Sequence, residues 1–166
     1  MSALIEEGHA QNNAAVAAPA GPLDFAGLDA ILRAIMRRDL ENQWLMRDYV
    51  GLLVAMPALR PSHDRMQQAR EARVDGIAGR LVKAGLLEPR STEAALPLLR
   101  RQLLTQVMFW VPSAVAAAPD RDPARSLDLH ARAALALFLP YCTPAGRKQL
   151  EPLLRPEAPR VRSGHG

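Results

Sequence analysis

The chain has 166 residues, 49% of them hydrophobic and 23% charged, with a formal net charge of +4 and a single cysteine. That length suits one compact domain, able to bury about two-thirds of the surface its unfolded form exposes. A lone cysteine excludes an internal disulfide framework, and no apolar run approaches the roughly 18 residues of a membrane helix. Glu6 and Glu7 stand where a signal peptide would carry basic charge, so a cytoplasmic location is expected.

The positive charge is nearly all arginine, Lys83 and Lys148 being the only lysines. An isoelectric point near 10.0 invites a nucleic-acid reading. The arginines are interleaved with acids, however, as in "RMQQAREARVDGIAGR". That pattern is a solvated helix face with i to i+4 pairs rather than a phosphate-binding stripe.

No segment alternates Val, Ile and Thr as a strand would, and Ala, Leu, Arg, Gln and Glu dominate, so the fold class expected is all-α. A first helix is predicted from Ser2 to about Ala17, broken by "APAGP". A second begins near Asp24, with Phe25, Leu28, Leu32, Ile35, Met36 and Leu40 at helical spacing. "ENQW" interrupts it, the period resumes through Leu45, Tyr49, Leu52, Leu53 and Met56, and "MPALRPSH" stops it with two prolines.

The next helix is predicted from about Ser62 to Ala84, with Met66, Val74, Ile77, Leu81 and Val82 facing inward. Gly85 suits the left-handed position past a helix end, and Leu86 then folds back on Leu81 as a Schellman motif favours. Ser91 is the predicted cap of a long helix reaching Ala117, in which Pro112 lies deep enough to kink. Asp122–Pro123 opens a helix to Leu139 that is apolar on most sides through "ARAALALFL", as in helices buried on two faces. In "PYCTPAGRKQL", Pro140 ends that helix, Thr143 caps a last short one and Pro144 takes its first position. Cys142 thus sits at a helix junction, without the partners of a nucleophile. The tail "RPEAPRVRSGHG" reads as disordered.

Little in the chain carries catalytic chemistry. His9, His63, His130 and His165 share no helix face at i to i+4 spacing, and Glu6 with His9 makes a metal pair without a third ligand. "SHD" at 62–64 holds the residue types of a nucleophilic triad, but neighbours on a helix start point apart, so a capping role fits better. No glycine-rich phosphate loop is present. No catalytic residue, metal or cofactor is therefore expected. Large adaptable side chains do concentrate in two stretches: "NQWLMRDYVGLLVAM", with Trp44, Met46, Tyr49 and Met56, and "QVMFWVP", with Met108, Phe109 and Trp110. Together with a polar Gln106 they make a candidate binding site for a permissive apolar ligand.

"LVKAGLLEPRSTEAALPLL", "LTQVMFWVP" and "ALALFLPYCTPAGRKQLEPLL", in that order, resemble the C-terminal ligand-binding and dimerisation domain of TetR/AcrR-type transcriptional regulators. The likeness runs from about Leu23 to Leu154. It divides the chain into a connecting helix and linker (1–22), a helical ligand-binding and dimerisation domain (23–154) and a tail (155–166). The resemblance implies a multi-helix bundle whose last two long helices, about Thr92–Ala117 and Pro123–Leu139, pair with their copies in a homodimer. Leu99, Leu103, Ala134, Leu137 and Phe138 are the interface residues this implies. It also implies a cavity for an apolar or amphipathic effector among the earlier helices and the Trp110 helix, with Pro112 opening space. The family's helix-turn-helix unit needs roughly 40 residues, and only residues 1–22 precede the core here, so DNA would be met through an N-terminal unit this chain lacks. A module that heterodimerises with a complete regulator and blocks its DNA binding is the alternative. An enzyme or metal protein using His63 or Cys142 is a more distant third.

Overall fold

Asp24 starts the first helix of the computed structural model, which describes residues 22–156: its carboxylate accepts the Gly27 N–H at 2.7 Å. The helix expected over 2–17 and nearly all of the expected tail lie outside the described residues. From Asp24 the chain enters α1 (Phe25–Glu41), which buries Phe25, Leu28, Leu32 and Met36 on one stripe. At Asn42 the helix breaks where "ENQW" predicts, and the Asn42 backbone N–H and side-chain amide both donate to the Arg38 carbonyl, at 3.2 and 3.1 Å. α2 (Gln43–Ala55) follows; none of its residues is fully buried, because it lies along the outside of the bundle.

A single 3-10 turn, Pro57–Leu59, leads into α3 (Arg60–Lys83). This helix starts two residues before the expected Ser62, and Ser62 is not its cap. Pro61 falls in the first turn, where a missing N–H costs nothing, so the Ser62 hydroxyl accepts from Arg65 at 3.0 Å instead. The end of α3 follows the sequence expectation bond for bond. Gly85 has φ +70°, its N–H donates to the Val82 carbonyl at 2.9 Å, and the Leu86 N–H donates to Leu81 at 2.9 Å.

α4 (Pro89–Ala117) begins at Pro89 rather than at a Ser91 cap. The proline again supplies the first turn, and the Ser91 hydroxyl donates to the Glu88 carbonyl at 3.3 Å. α4 runs through Pro97 and Pro112, each of which removes one intrahelical hydrogen bond. Asp122 then accepts the Ala124 N–H at 2.9 Å, as its Asp–Pro signature predicts. The helix expected over 123–139 is shorter than predicted: a 3-10 turn, Pro123–Ser126, precedes α5 (Leu127–Ala136), and a second, Leu139–Tyr141, closes it where Pro140 can donate no bond. α6 (Pro144–Leu154) is capped by Thr143, whose hydroxyl accepts the Gly146 N–H at 3.0 Å. The described residues hold no strand, only an isolated antiparallel bridge between Leu87 and Cys142, and no described helix is long and apolar enough to cross a membrane. The fold is an all-α bundle.

α1 packs chiefly on α5 and α6 and also meets α4, while α3 packs along α4. Phe25 meets Phe138 edge to face at 6.2 Å, and Arg33 of α1 donates to Asp128 of α5 at 2.8 Å. Two chain reversals are stitched together beside this core. Thr143 donates its N–H to Leu86 O at 3.1 Å and its hydroxyl to Gly85 O at 2.7 Å, and the Glu88 N–H donates to Tyr141 O at 2.8 Å. Gly146 lies so close that a Cβ there would fall on the Leu86 carbonyl oxygen. Cys142 lies buried in this junction with its thiol directed at Phe138 O, 3.4 Å away, and burial pushes the thiol pKa up, the opposite of an activated nucleophile.

Gly146→Ala should lower unfolding free energy in urea by about 1–3 kcal/mol, the usual cost of forcing atoms into filled space. Gly85→Ala should cost about 1–2 kcal/mol, from its left-handed backbone alone.

Candidate functional site

Between α1, α3 and α4, with one residue of α2, lies a cavity of about 90 Å³. α1 contributes Leu28, Ile31, Leu32, Ile35 and Asp39; α2 contributes Met46; α3 contributes Met66, Arg70, Arg73, Val74 and Ile77; α4 contributes Leu103, Leu104, Val107 and Met108. Three charged groups, Asp39, Arg70 and Arg73, thus stand in an otherwise aliphatic and thioether wall. A second, more open cleft of about 530 Å³ adjoins it and shares Leu104 and Met108 with it. Its wall is more polar, with Tyr49, His63, Gln67, Glu71 and Arg100 beside Val50, Leu53 and Phe109.

Asp39 follows Ile35 by four residues, so the period that makes α1 amphipathic carries its carboxylate onto the apolar face. There it accepts the Trp110 indole N–H at 3.1 Å, a bond that acts to keep it charged. Burial outweighs that bond and the attraction of Arg70 and Arg38, and lifts the pKa from 3.8 to about 6. Arg70 is placed by the same logic, four residues after Met66 and four before Val74 on the apolar face of α3. Its guanidinium donates to the Gln67 side chain at 3.2 Å. Burial lowers its pKa, Tyr49 and Asp39 raise it, and the neighbouring Arg73 lowers it further.

In the outer cleft the Tyr49 hydroxyl lies 2.8 Å from His63 Nδ1. Burial pushes the Tyr49 pKa up, which keeps the phenol protonated. Behind the cavity the Trp110 ring rests 5.7 Å from that of His130, and Gln106 pairs with His130 Nδ1 at 3.0 Å. Burial lowers the His130 pKa, so the neutral imidazole is the acceptor. Among the described residues no group of three His, Cys, Asp or Glu is arranged to hold a metal ion.

The structure divides the eight expected ligand residues. Met46 and Met108 line the inner cavity, while Tyr49, Met108 and Phe109 line the outer cleft. Trp110 is 1% exposed and stands behind the wall, reaching the cavity through its bond to Asp39. Gln106 is turned to His130, and Met56 lines neither space. Trp44 is 67% exposed and faces away from both. Pro112, expected to open the space, also lines neither.

Of the five expected interface residues, Leu99, Leu103, Ala134 and Phe138 are buried in the chain's own core, and only Leu137 keeps partial exposure. Helix period explains the difference: Leu99 and Leu103 of α4 and Ala134 of α5 lie on faces that meet the rest of the chain, and Phe138, in the turn after α5, is buried against Phe25. The outward apolar residues of the two helices are Leu98, Phe109 and Leu129. Most of the cavity residues that aromatic and methionine content does not reveal come from α1 and α3, with Leu103, Leu104 and Val107 from α4; for Asp39 and Arg70 the signal is a charge on an apolar stripe.

The family model described as TetR, bacterial transcriptional repressor, matches residues 9–150. Comparison with curated proteins finds no match. Among solved structures, a TetR-family transcriptional regulator from Marinobacter aquaeolei VT8 superposes with a TM-score of 0.78 at 19% sequence identity, over 92% of this chain and 74% of that one. At that identity the likeness is one of fold.

The raised pKa of Asp39 sets the sign of a pH effect. Stability linked to it is complete below 3.8 and is lost as pH rises through about 6, because the fold disfavours the ionised form. Asp39→Asn keeps an acceptor for Trp110 and removes the charge. Urea unfolding should find this variant more stable than wild type at pH 8, by about 1–3 kcal/mol, the attraction of Arg70 being already part of that shift, with the difference vanishing below about pH 4.

Proposed function

The chain belongs to the TetR family of bacterial transcriptional regulators, and on that premise we propose that the cavity between α1, α3 and α4 is an effector site for a small apolar or amphipathic molecule. The observation that carries this reading is the composition of the wall: aliphatic and thioether side chains on three helices, with a few convergent polar groups. Such walls give affinity through burial of apolar surface and orientation through the polar groups. Met46, Met66 and Met108 supply unbranched side chains that re-pack around different shapes. A molecule held there touches α1, α3 and α4 at once, and so favours one relative placement of those helices over others. An effector shifts a conformational equilibrium by the difference in its affinity for the two states. That shift is the means by which ligand occupancy would alter the regulator's hold on DNA.

We further propose that the chain works as a homodimer, joined through the outward faces of α4 and α5. Supporting this, Leu98 is 57% and Leu129 60% exposed, large apolar side chains that a second copy would cover.

Two measurements test these proposals. Thermal unfolding against a panel of apolar and amphipathic compounds should raise the transition temperature with at least one of them. Val107→Trp, which places an indole in the cavity, should weaken that compound about tenfold or more while leaving the helical circular dichroism intact; a panel without any shift would overturn the effector reading. In sedimentation at micromolar concentration the wild type should run at twice 18.1 kDa. The double variant Leu98→Glu/Leu129→Glu should run as a monomer, and an unchanged dimer would place the interface elsewhere.

A further inference from the structure

The charges in the cavity wall narrow the ligand class. Arg70 lines the space, and among the described residues of the wall Asp39 is the one carboxylate. Asp39 already accepts the Trp110 N–H and acts on Arg70 across the cavity as a charge rather than through a hydrogen bond. Its raised pKa leaves part of its population neutral near pH 6, which lessens that compensation further. Arg70 therefore carries its charge on an apolar helix face with a neutral amide, that of Gln67, as its hydrogen-bond partner. Arg70 is half-buried, and its burial lowers its pKa; a desolvated guanidinium without a contacting anion is costly, and an arriving anion relieves that cost.

We infer that the effector is an amphipathic anion: a carboxylate-type head pairs with Arg70, beside Arg73, and an aliphatic tail lies against Leu32, Met66, Leu103 and Val107. This rests on the effector-site reading above and adds the ligand's charge to it. A neutral ligand leaves Arg70 without an anion in contact. A cation reaching for Asp39 meets the Arg70 guanidinium in the same wall. An anion gives the Arg70 guanidinium a contacting partner of opposite charge, and a planar carboxylate matches the guanidinium fork with two parallel bonds. The volume of about 90 Å³ takes the head and the first part of the tail. Longer tails have a route outward past Leu104 and Met108, which separate the cavity from the outer cleft.

The test is calorimetric titration of the whole chain with octanoate, octanol and octylamine, which share a tail and differ in head charge. At pH 7.5 octanoate should bind at least about tenfold tighter than octanol, the scale of a charge-assisted hydrogen bond, with octylammonium weakest. Arg70→Met should bring octanoate down to the level of octanol while octanol keeps its affinity. Asp39→Asn should tighten octanoate, and so should lowering the pH of the wild type from 7.5 to 5.5, where octanoate is still ionised. Equal affinity for octanoate and octanol, or a preference for octylammonium, overturns the anion inference and leaves the effector site standing. Failure of all three probes, together with a Val107→Trp variant indistinguishable from wild type against the whole compound panel, overturns both.

Discussion

Two chain reversals pressed against each other at Gly85 and Gly146 are the constraint around which the bundle is arranged. α3 ends there, α4 begins there and α6 begins there. Backbone bonds from Thr143 to Leu86 and from Glu88 to Tyr141, with the Thr143 hydroxyl on Gly85 O, hold the two segments at main-chain distance. That distance demands glycine at both points for different reasons: a left-handed backbone at Gly85, and the absence of a Cβ facing the Leu86 carbonyl at Gly146. Because three helix ends share one junction, the C-terminal pair α5 and α6 is set in place relative to α3 and α4. α1 then fills the remaining side, burying Phe25 against Phe138 and tying Arg33 to Asp128.

α1 consequently serves two neighbours. Its buried stripe closes the core against α5 and α6, and the adjoining residues Ile31, Ile35 and Asp39 complete the cavity with α3 and α4. The Asp39–Trp110 bond joins the two roles: it fixes α1 to α4 at one end of the cavity, and Trp110 in turn rests on His130 of α5. Any molecule that moves α1 away from α4 must also disturb this bond. Charged groups in an apolar wall are an expensive way to stabilise a fold, since well-packed apolar residues of similar volume are often as stable or better. On the effector reading proposed above, Asp39 and Arg70 serve a ligand in the cavity rather than the stability of the bundle.

Much of the fold was legible locally. The Schellman stop at Gly85, the caps at Asp24, Asp122 and Thr143, and the break at Asn42 each depend on a few adjacent residues, so sequence alone suffices for them. The two helix starts that differ, Arg60 and Pro89, share a cause: a serine was weighed as cap where a proline one or two residues upstream had already set the first turn. The helix before Pro140 is shorter than its apolar run, because the missing N–H lets the last turns tighten into 3-10 geometry.

The site was less legible, for a reason of the same kind at longer range. Sequence determines that a helix has an apolar face and that the face carries Met108 or Leu103; it does not say what covers that face. Trp44 and Met46 are two residues apart, yet one is exposed and the other lines the cavity, because neighbours two apart on a helix point to different sides. Leu99, Leu103, Ala134 and Phe138 read equally well as core or as contact with a second copy, and only the packing of α1 onto α4 and α5 makes them core. The amino-acid order by itself therefore determined helix content, helix ends and the amphipathic stripes, all set by interactions within a few residues. Tertiary structure decided which stripes close on one another and which leave a charged, apolar space between them, since that depends on side chains brought together from helices distant in the chain.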